Sequence, residues 1–333
     1  MSGRLALSLI LLAAAVLALA VVYQVRGEAG DFSFTNETYL VEGRFLLVNE
    51  NNVTVNDYVY VSLPQNTTFQ RSYVLSIEPR PIRYDTDEDG NRYAVVLVTA
   101  EPGERVWIHV RFRVRVSGYV LYADEDRAMW PSFTVVKKYT TSTGYWDIYN
   151  ETLIGIAYGE MYSDNPVAAA RNIADWIVPR VAYSVNMGRY GSDHALVYRY
   201  GRYEIIGDCV EVADMYVTFA RILGLPARTA YGFLLTGRTQ KMWLNMSTVD
   251  KEGEALLSHW GGHMWPQVYV APWGWVDVDM LDGMAPNFGV YSARHILFGV
   301  EETKYYGTAL TSSCVPSYMT LQYVEYTFRG ETP

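Results

Sequence analysis

The chain has little cysteine and little positive charge, and each shortage excludes a class of protein. It has 333 residues, of which 2 are cysteines, whereas a small secreted domain held together by disulfides would use more cysteine. The formal net charge is −9 at pH 7, and binding to nucleic-acid phosphates needs a basic face. We therefore expect neither a disulfide scaffold nor a nucleic-acid partner.

Long hydrophobic runs are also scarce, and internal repeats and low-complexity tracts are absent. One stretch, residues 5–23, is apolar enough to nearly span a bilayer. The residues Ala18–Ala20 resemble a signal-peptidase site, so a cleaved signal peptide is the alternative. The run is longer than the apolar region of a usual signal peptide, so we favour an uncleaved transmembrane anchor within residues 1–27.

The rest of the chain is expected to lie on one side of the membrane, outside the cell. Asn-x-Ser/Thr sequons support that side, because they are acceptors for glycosylation in exported proteins. They occur at Asn36, Asn52, Asn66, Asn150 and Asn245. The prediction is a single-pass cell-membrane glycoprotein whose bulk is extracellular.

Residues 30–125 have the pattern of a β-sandwich. Apolar and polar side chains alternate from Arg105 to Val116, as in a strand with one buried face. Shorter strands separated by turns precede it. The run Asp85–Gly90 resembles the opening of a calcium loop, but Val96 stands where the bidentate glutamate should be. We interpret it as an acidic hairpin turn.

The residues from Gly207 onward predict a buried helix with a cysteine in its first turn. Asp208 is a good N-cap, Glu211 has the capping-box spacing, and Gly224 is a natural stop. The almost continuous apolar side chains between them predict burial on most sides. Cys209 would lie at the positive end of the helix dipole, which is expected to lower the pKa of its thiol.

The segments around this helix are predicted with less regular structure. Asn165 and Pro166 predict the start of another helix. Residues 188–206 are interpreted as a loop, and residues 236–258 as a surface loop over the site. Residues 318–328 alternate enough to form one more strand.

A β-hairpin after the helix brings a histidine and a carboxylate together. The predicted strands run from His263 to Val270 and from Trp275 to Asp279. Pairing across the turn puts His263 close to Asp279 at the open end of the hairpin. A carboxylate there would fix the tautomer and orientation of the imidazole. Asp277 lies on the same strand face and is the competing candidate.

Four sequence blocks, in this order, resemble the core signature of the transglutaminase-like superfamily. They are Gly207-Asp208-Cys209, Gly224-Leu225-Pro226-Ala227-Arg228, His263-Met264-Trp265 and Gly274-Trp275-Val276-Asp277-Val278-Asp279. The resemblance implies a papain-like fold with a Cys-His-Asp triad, in which Cys209 matches the nucleophile, His263 the base and Asp279 the acid. Two departures stand beside it: Gln267 replaces an acidic residue common in relatives, and Met280 follows Asp279 where relatives often have proline.

The fold class we predict is α+β, with a papain-like transglutaminase core, a preceding β-sandwich and an N-terminal transmembrane helix. The predicted divisions are the anchor at 1–27, the β-sandwich at 30–125, the transglutaminase-like domain at 126–288 and a C-terminal extension packed on the core at 289–333.

Two other interpretations of Cys209 compete with a reactive thiol. Cys209 could form a disulfide with Cys314 in a structural envelope protein. His259, His263 and Cys209 could hold zinc, but Gly261 and the glycine after it argue against a helix that aims both imidazoles alike. We therefore predict no metal and no cofactor.

The function predicted is a membrane-anchored extracellular cysteine acyl-transfer enzyme. It would hydrolyse peptide or amide bonds in a protein or peptide substrate, with crosslinking as the other outcome of the same chemistry. The alternative is a catalytically inactive transglutaminase-like module that binds a partner or has a structural role.

Overall fold

The computed structural model describes residues 30–186, 188–283, 287–301 and 313–331. The predicted anchor at residues 5–23 lies outside these ranges. Within them, the helices are all too short or too polar to cross a membrane.

Strands dominate the described part of the chain. In chain order they are β1 (Phe32–Val48), β2 (Val55–Ser62), β3 (Gln70–Glu78), β4 (Arg83–Thr86), β5 (Arg92–Ala100), β6 (Arg105–Leu121), β7 (Val181–Tyr183), β8 (Leu196–Arg199), β9 (Arg202–Gly207), β10 (Ala227–Leu234), β11 (Thr239–Asn245), β12 (Gly262–Val270), β13 (Gly274–Asp277), β14 (Val290–Tyr291), β15 (His295–Val300), β16 (Cys314–Val315) and β17 (Thr320–Gly330). The helices are α1 (Phe133–Tyr139), α2 (Glu151–Ile156), α3 (Pro166–Ile177), α4 (Ser192–Ala195) and α5 (Cys209–Ile222), with a π-helical segment at Ala157–Met161 and short 3-10 turns between them.

Two sheets built mainly from the first third of the chain share one apolar core. The larger sheet has the order β11-β17-β1-β6-β14, with β3 also paired to β6, and the smaller has the order β16-β2-β5-β4. In β6, the predicted alternation is confirmed, because Ile108, Val110, Phe112, Val114 and Val116 are buried between exposed neighbours. The acidic turn joins β4 to β5 as an antiparallel hairpin, as predicted.

The larger sheet draws strands from every predicted division after the anchor. β1 and β6 lie in the 30–125 region, β11 in the 126–288 region, and β14 and β17 in the 289–333 region. The strand predicted at 318–328 is confirmed as β17, which pairs with β1 along most of its length. The region predicted as a C-terminal extension thus completes the sheet that β1 begins.

A second unit carries the helices and a mixed set of short sheets. Its four-stranded sheet has the order β13-β12-β10-β15, and α5 packs against β12 and β10. Every residue of α5 from Cys209 to Arg221 is buried, as its apolar composition predicts. The helix ends before Gly224, whose φ of +82° suits a residue without Cβ.

Two segments predicted as loops contain regular structure, so those predictions were wrong. Residues 188–206 include α4 and the hairpin of β8 and β9. Residues 236–258 include β11, which pairs with β17 at the edge of the larger sheet. These strands bury few side chains, and Tyr198 and Trp243 are aromatic but exposed, so neither segment has a core signal strong enough to be recognised.

Candidate active site

Cys209 is the first residue of α5, and local hydrogen bonds fix its position. The Asp208 side chain accepts a bond from the Val210 N–H at 2.9 Å, and Glu211 Oε2 accepts from the Asp208 N–H at 3.1 Å. The predicted capping box is therefore confirmed. A Cβ at Gly207 would lie 2.5 Å from Glu211 Cβ, so glycine is required just before the cap.

The thiol of Cys209 lies against the strand that carries His263. The sulfur accepts a hydrogen bond from the backbone N–H of Met264, the residue after His263 on β12. Only 9% of Cys209 is exposed. Cys209 and His263 are far apart in the sequence, and the packing of α5 on β12 brings them together.

The expectation that the helix start would lower the pKa of this thiol was wrong. Burial raises the pKa of the Cys209 thiol well above its usual value, and the nearby carboxylates of Asp208, Asp279 and Glu211 raise it further. The hydrogen bond from Met264 opposes the rise but does not cancel it. A helix dipole acts with only partial charges, whereas burial and three carboxylates all favour the neutral thiol.

The capping carboxylate of Glu211 is itself perturbed by its buried position. Burial, together with the charge of Asp208, raises the pKa of Glu211 to about 7. Near neutral pH the Glu211 carboxylate therefore carries only part of its negative charge.

His263 and Asp279 form the predicted pair. His263 Nε2 lies 2.8 Å from Asp279 Oδ2, and both side chains are buried. The hairpin register puts Gln267 opposite Asp277, and the Val278 N–H donates to the Pro266 carbonyl at 2.9 Å. The chain therefore stays beside β12 past the end of β13 and delivers Asp279 to His263.

The contact between His263 and Asp279 changes the pKa of both side chains. Burial alone would lower the pKa of His263, but the carboxylate of Asp279 outweighs it, so the pKa of the imidazole is raised. Burial opposes the charge on Asp279, yet His263 and His295 hold the pKa of its carboxyl far below the usual range. Asp279 is therefore ionised, and the His263 imidazole beside it is more basic than usual.

Asp277, the competing carboxylate, has different partners. Its Oδ1 accepts hydrogen bonds from Trp265 Nε1 at 2.7 Å and Gln267 Nε2 at 2.8 Å. Its Oδ2 accepts from the Tyr119 hydroxyl at 2.7 Å. Asp277 thus ties the hairpin to β6, and the glutamine that departs from the family pattern is one of its donors.

A second histidine, which the sequence reasoning missed, reaches the same carboxylate. His295 Nε2 lies 2.8 Å from Asp279 Oδ2, and the ring is fully buried. His295 opens β15, on the far side of β10 from the hairpin. A histidine at the start of a wholly apolar strand was a usable signal, but hairpin pairing considers only the two strands it joins.

His263, Asp279 and His295 also form the group of potential metal ligands found among the described residues, with ligand atoms within 4.8 Å of one another. Two nitrogens at 2.8 Å from one oxygen have the spacing of hydrogen bonds, and ligands of one zinc ion would stand farther apart. The zinc alternative with His259 also fails, because its ring bonds Glu252 and stacks on Trp243. Both cysteines carry reduced thiols, so the predicted disulfide alternative is not formed.

Part of the chain matches a known family model. Residues 158–280 match the model of the transglutaminase-like superfamily. The match includes Cys209, His263 and Asp279 but ends before His295. No curated protein matches the chain significantly.

Solved structures resemble the chain at low sequence identity. A structure from Cytophaga hutchinsonii, described as a candidate cysteine protease, has a TM-score of 0.54 at 14% identity, covering 90% of this chain and 100% of that one. The periplasmic domain of TgpA from Pseudomonas aeruginosa, bound to ethylmercury, has a TM-score of 0.37 at 13% identity, covering 75% and 91% of the two chains. At such identities the first similarity concerns the fold alone.

Proposed function

We propose that this chain, whose residues 158–280 belong to the transglutaminase-like superfamily, is a cysteine acyl-transfer enzyme with a papain-like core. The observation that carries the proposal is the buried pair of His263 and Asp279, which are 2.8 Å apart. His263 lies on β12 just before Met264, whose backbone N–H bonds the Cys209 sulfur. A nucleophile, a base and a group that orients the base are the parts that acyl transfer requires.

The proposed reaction begins from a neutral thiol. Because Nε2 of His263 is engaged by Asp279, Nδ1 is the nitrogen left to take the thiol proton. As that proton moves to His263, the Cys209 sulfur forms a bond to the substrate carbonyl carbon, and negative charge develops on the carbonyl oxygen. The backbone N–H of Cys209, at the start of α5, would stabilise that oxygen.

The leaving group departs with the proton carried by His263. For an amide substrate, the C–N bond breaks, the amine leaves with that proton, and an acyl thioester remains on Cys209. Water then attacks the thioester with His263 as base, which releases a carboxylic acid and restores the thiol. We favour hydrolysis of a peptide or amide bond over crosslinking, because water needs no binding site of its own.

We place this reaction outside the cell membrane, with residues 5–23 as the anchor. The apolar run and the sequons of the sequence support this location. An anchored chain should stay with the membrane fraction during extraction with alkaline carbonate. Release of the uncut chain into the supernatant would rule the anchor out.

Thiol labelling tests the proposed nucleophile without knowledge of the substrate. We expect iodoacetamide to modify Cys209 in the wild-type protein at a rate that rises with pH, because burial raises the pKa of its thiol. Peptide mass spectrometry after labelling measures the modification at each cysteine. Cys314→Ala is the matched control, since Cys314 is also buried and its thiol pKa is also raised.

The variants separate the proposed function from its alternative. Cys209→Ala should abolish the labelling, and His263→Ala should slow the labelling of Cys209 because the base is lost. If wild type and Cys209→Ala take up the same label, or if His263→Ala reacts as fast as wild type, the chain is better described as a non-catalytic binding module.

A further inference from the structure

Asp279 accepts hydrogen bonds from two imidazoles at a single oxygen. His263 Nε2 and His295 Nε2 each lie 2.8 Å from Oδ2, while Oδ1 accepts from the Leu281 N–H at 2.9 Å. Acyl transfer by Cys209 uses one of these imidazoles. The second has a buried, well-aligned partner and lies outside the residues matched by the family model.

The neighbours of His295 fix which of its nitrogens carries a proton. Nδ1 lies 2.9 Å from Ser292 Oγ and 3.3 Å from the Ser292 carbonyl oxygen. An ionised carboxylate only accepts, so Nε2 must carry the proton that points at Asp279. In this arrangement His295 donates to Asp279 from Nε2, and the contacts of Nδ1 with the serine three residues before it hold the ring in that orientation.

Packing holds the His295 ring in place. The ring stacks on Tyr291 at 5.2 Å and meets Trp265 edge-on at 4.8 Å. It is fully buried at the start of β15, where His295 pairs with Leu234 of β10. A rigid donor at the far side of the sheet can therefore act as a fixed point for a side chain on a less regular segment.

Asp279 needs such a fixed point, because it lies beyond the end of β13. The last backbone hydrogen bond of the hairpin to β12 is the one from the Val278 N–H to Pro266, and the Asp279 carboxylate beyond it is held by its hydrogen bonds. Without His295, the described partners would be His263 itself and the nearby Leu281 N–H. The orientation of the base would then depend on a carboxylate whose only described partner besides the base is one backbone N–H.

We propose that His295 is a positioning residue, which fixes the Asp279 carboxylate so that Oδ2 faces His263. The inference rests on the proposed function, because it assigns the base that His295 serves. His295 touches neither the thiol nor the substrate in this scheme and acts through Asp279 alone.

The test reads the His263 imidazole directly, so it does not depend on turnover. The chain has 5 histidines. These are few enough for NMR titration of each labelled histidine ring, with assignment by substitution. Asp279 raises the pKa of His263 against the effect of burial. Asp282, held by Arg294, and the N-cap Asp208 also face the ring, but they do not contact His295 in the described structure.

In His295→Phe, which keeps a ring but loses the donor, we expect His263 to titrate at lower pH and Cys209 to be alkylated about tenfold more slowly. His295→Gln keeps an N–H donor and should restore both values toward wild type. His109→Ala, which removes an exposed histidine on β6, is the control and should change neither.

Two results would overturn the inference. One is a thermal destabilisation in His295→Phe with the His263 titration unchanged, which would indicate a purely structural role. The other is a shift of that titration to higher pH, which would mean that His295 draws charge away from the pair. Unlabelled Cys209 in the wild-type protein would instead contradict the proposed function and leave the titration result standing.

Discussion

Asp277 and Asp279 are two residues apart on one hairpin, both are buried, and their surroundings make them opposite in character. Burial raises the pKa of Asp277, although Gln267, Tyr119 and Trp265 donate hydrogen bonds to it. Two imidazoles instead hold the pKa of Asp279 far below its usual range. Neutral donors satisfy the first carboxylate, whereas donors that can carry charge favour the ionised form of the second.

The comparison separates a structural use of aspartate from a chemical one. Asp277 faces β6 and joins the hairpin to the large sheet through Tyr119, whose hydroxyl also accepts from the Asp277 N–H at 2.9 Å. Asp279 faces the imidazole beside the thiol. Counting along the strand cannot distinguish the two, because side chains two residues apart lie on the same face.

The largest effect should come from neutralising each carboxylate in turn. In Asp279→Asn we expect the alkylation of Cys209 at neutral pH to fall about 100-fold or more, because His263 loses its raised pKa and its correct tautomer. Asp277→Asn should change the rate little, since its partners are neutral. Rates of iodoacetamide modification measured side by side check both.

Folding must be verified for this pair of variants by circular dichroism and thermal melting. If Asp277→Asn slows labelling as much as Asp279→Asn while both remain folded, the distinction between a structural Asp277 and a chemical Asp279 is wrong. In that case the two carboxylates would act as one unit.

A smaller effect should follow from cutting the link between the hairpin and β6. Tyr119→Phe removes a donor to Asp277 Oδ2 and an acceptor for the Asp277 N–H. Leaving a buried polar group without its partner costs about 1–3 kcal/mol of the free energy of unfolding, while the His263 titration should stay where it is. Denaturant unfolding gives the first quantity and NMR the second.

Tyr291→Phe is the matched control for that change. Its hydroxyl makes a longer hydrogen bond, 3.3 Å to the His295 carbonyl, from a similarly buried ring. Equal losses of stability in the two variants would show that removal of either buried hydroxyl costs the same, so that the bond to Asp277 has no special weight.

Local chemistry predicted the most regular parts of the molecule. The capping box of Asp208 and Glu211 fixed the start of α5, and Asn165 with Pro166 fixed the start of α3. The pairing of His263 with Asp279 followed from a hairpin with short strands. In each case the partners are close in sequence, so spacing carries the information.

What the sequence did not reveal depends on contacts between distant segments. His295 reaches Asp279 only because β15 and β12 both flank β10. The thiol pKa was predicted in the wrong direction, since the helix start is visible in the sequence but the burial of Cys209 among carboxylates is not. β11 was taken for a loop because its partner β17 lies far along the chain.

The pairing of β1 with β17 has a consequence for how the molecule is made. β1 is flanked by β6 on one side and by β17 on the other, with Tyr39 opposite Gly330. During synthesis, β6 is available early, but the second flank of β1 stays open until Thr320–Gly330 leave the ribosome. A product terminated before Thr320 therefore keeps every residue of the candidate triad and still presents an uncovered strand edge, a template for aggregation.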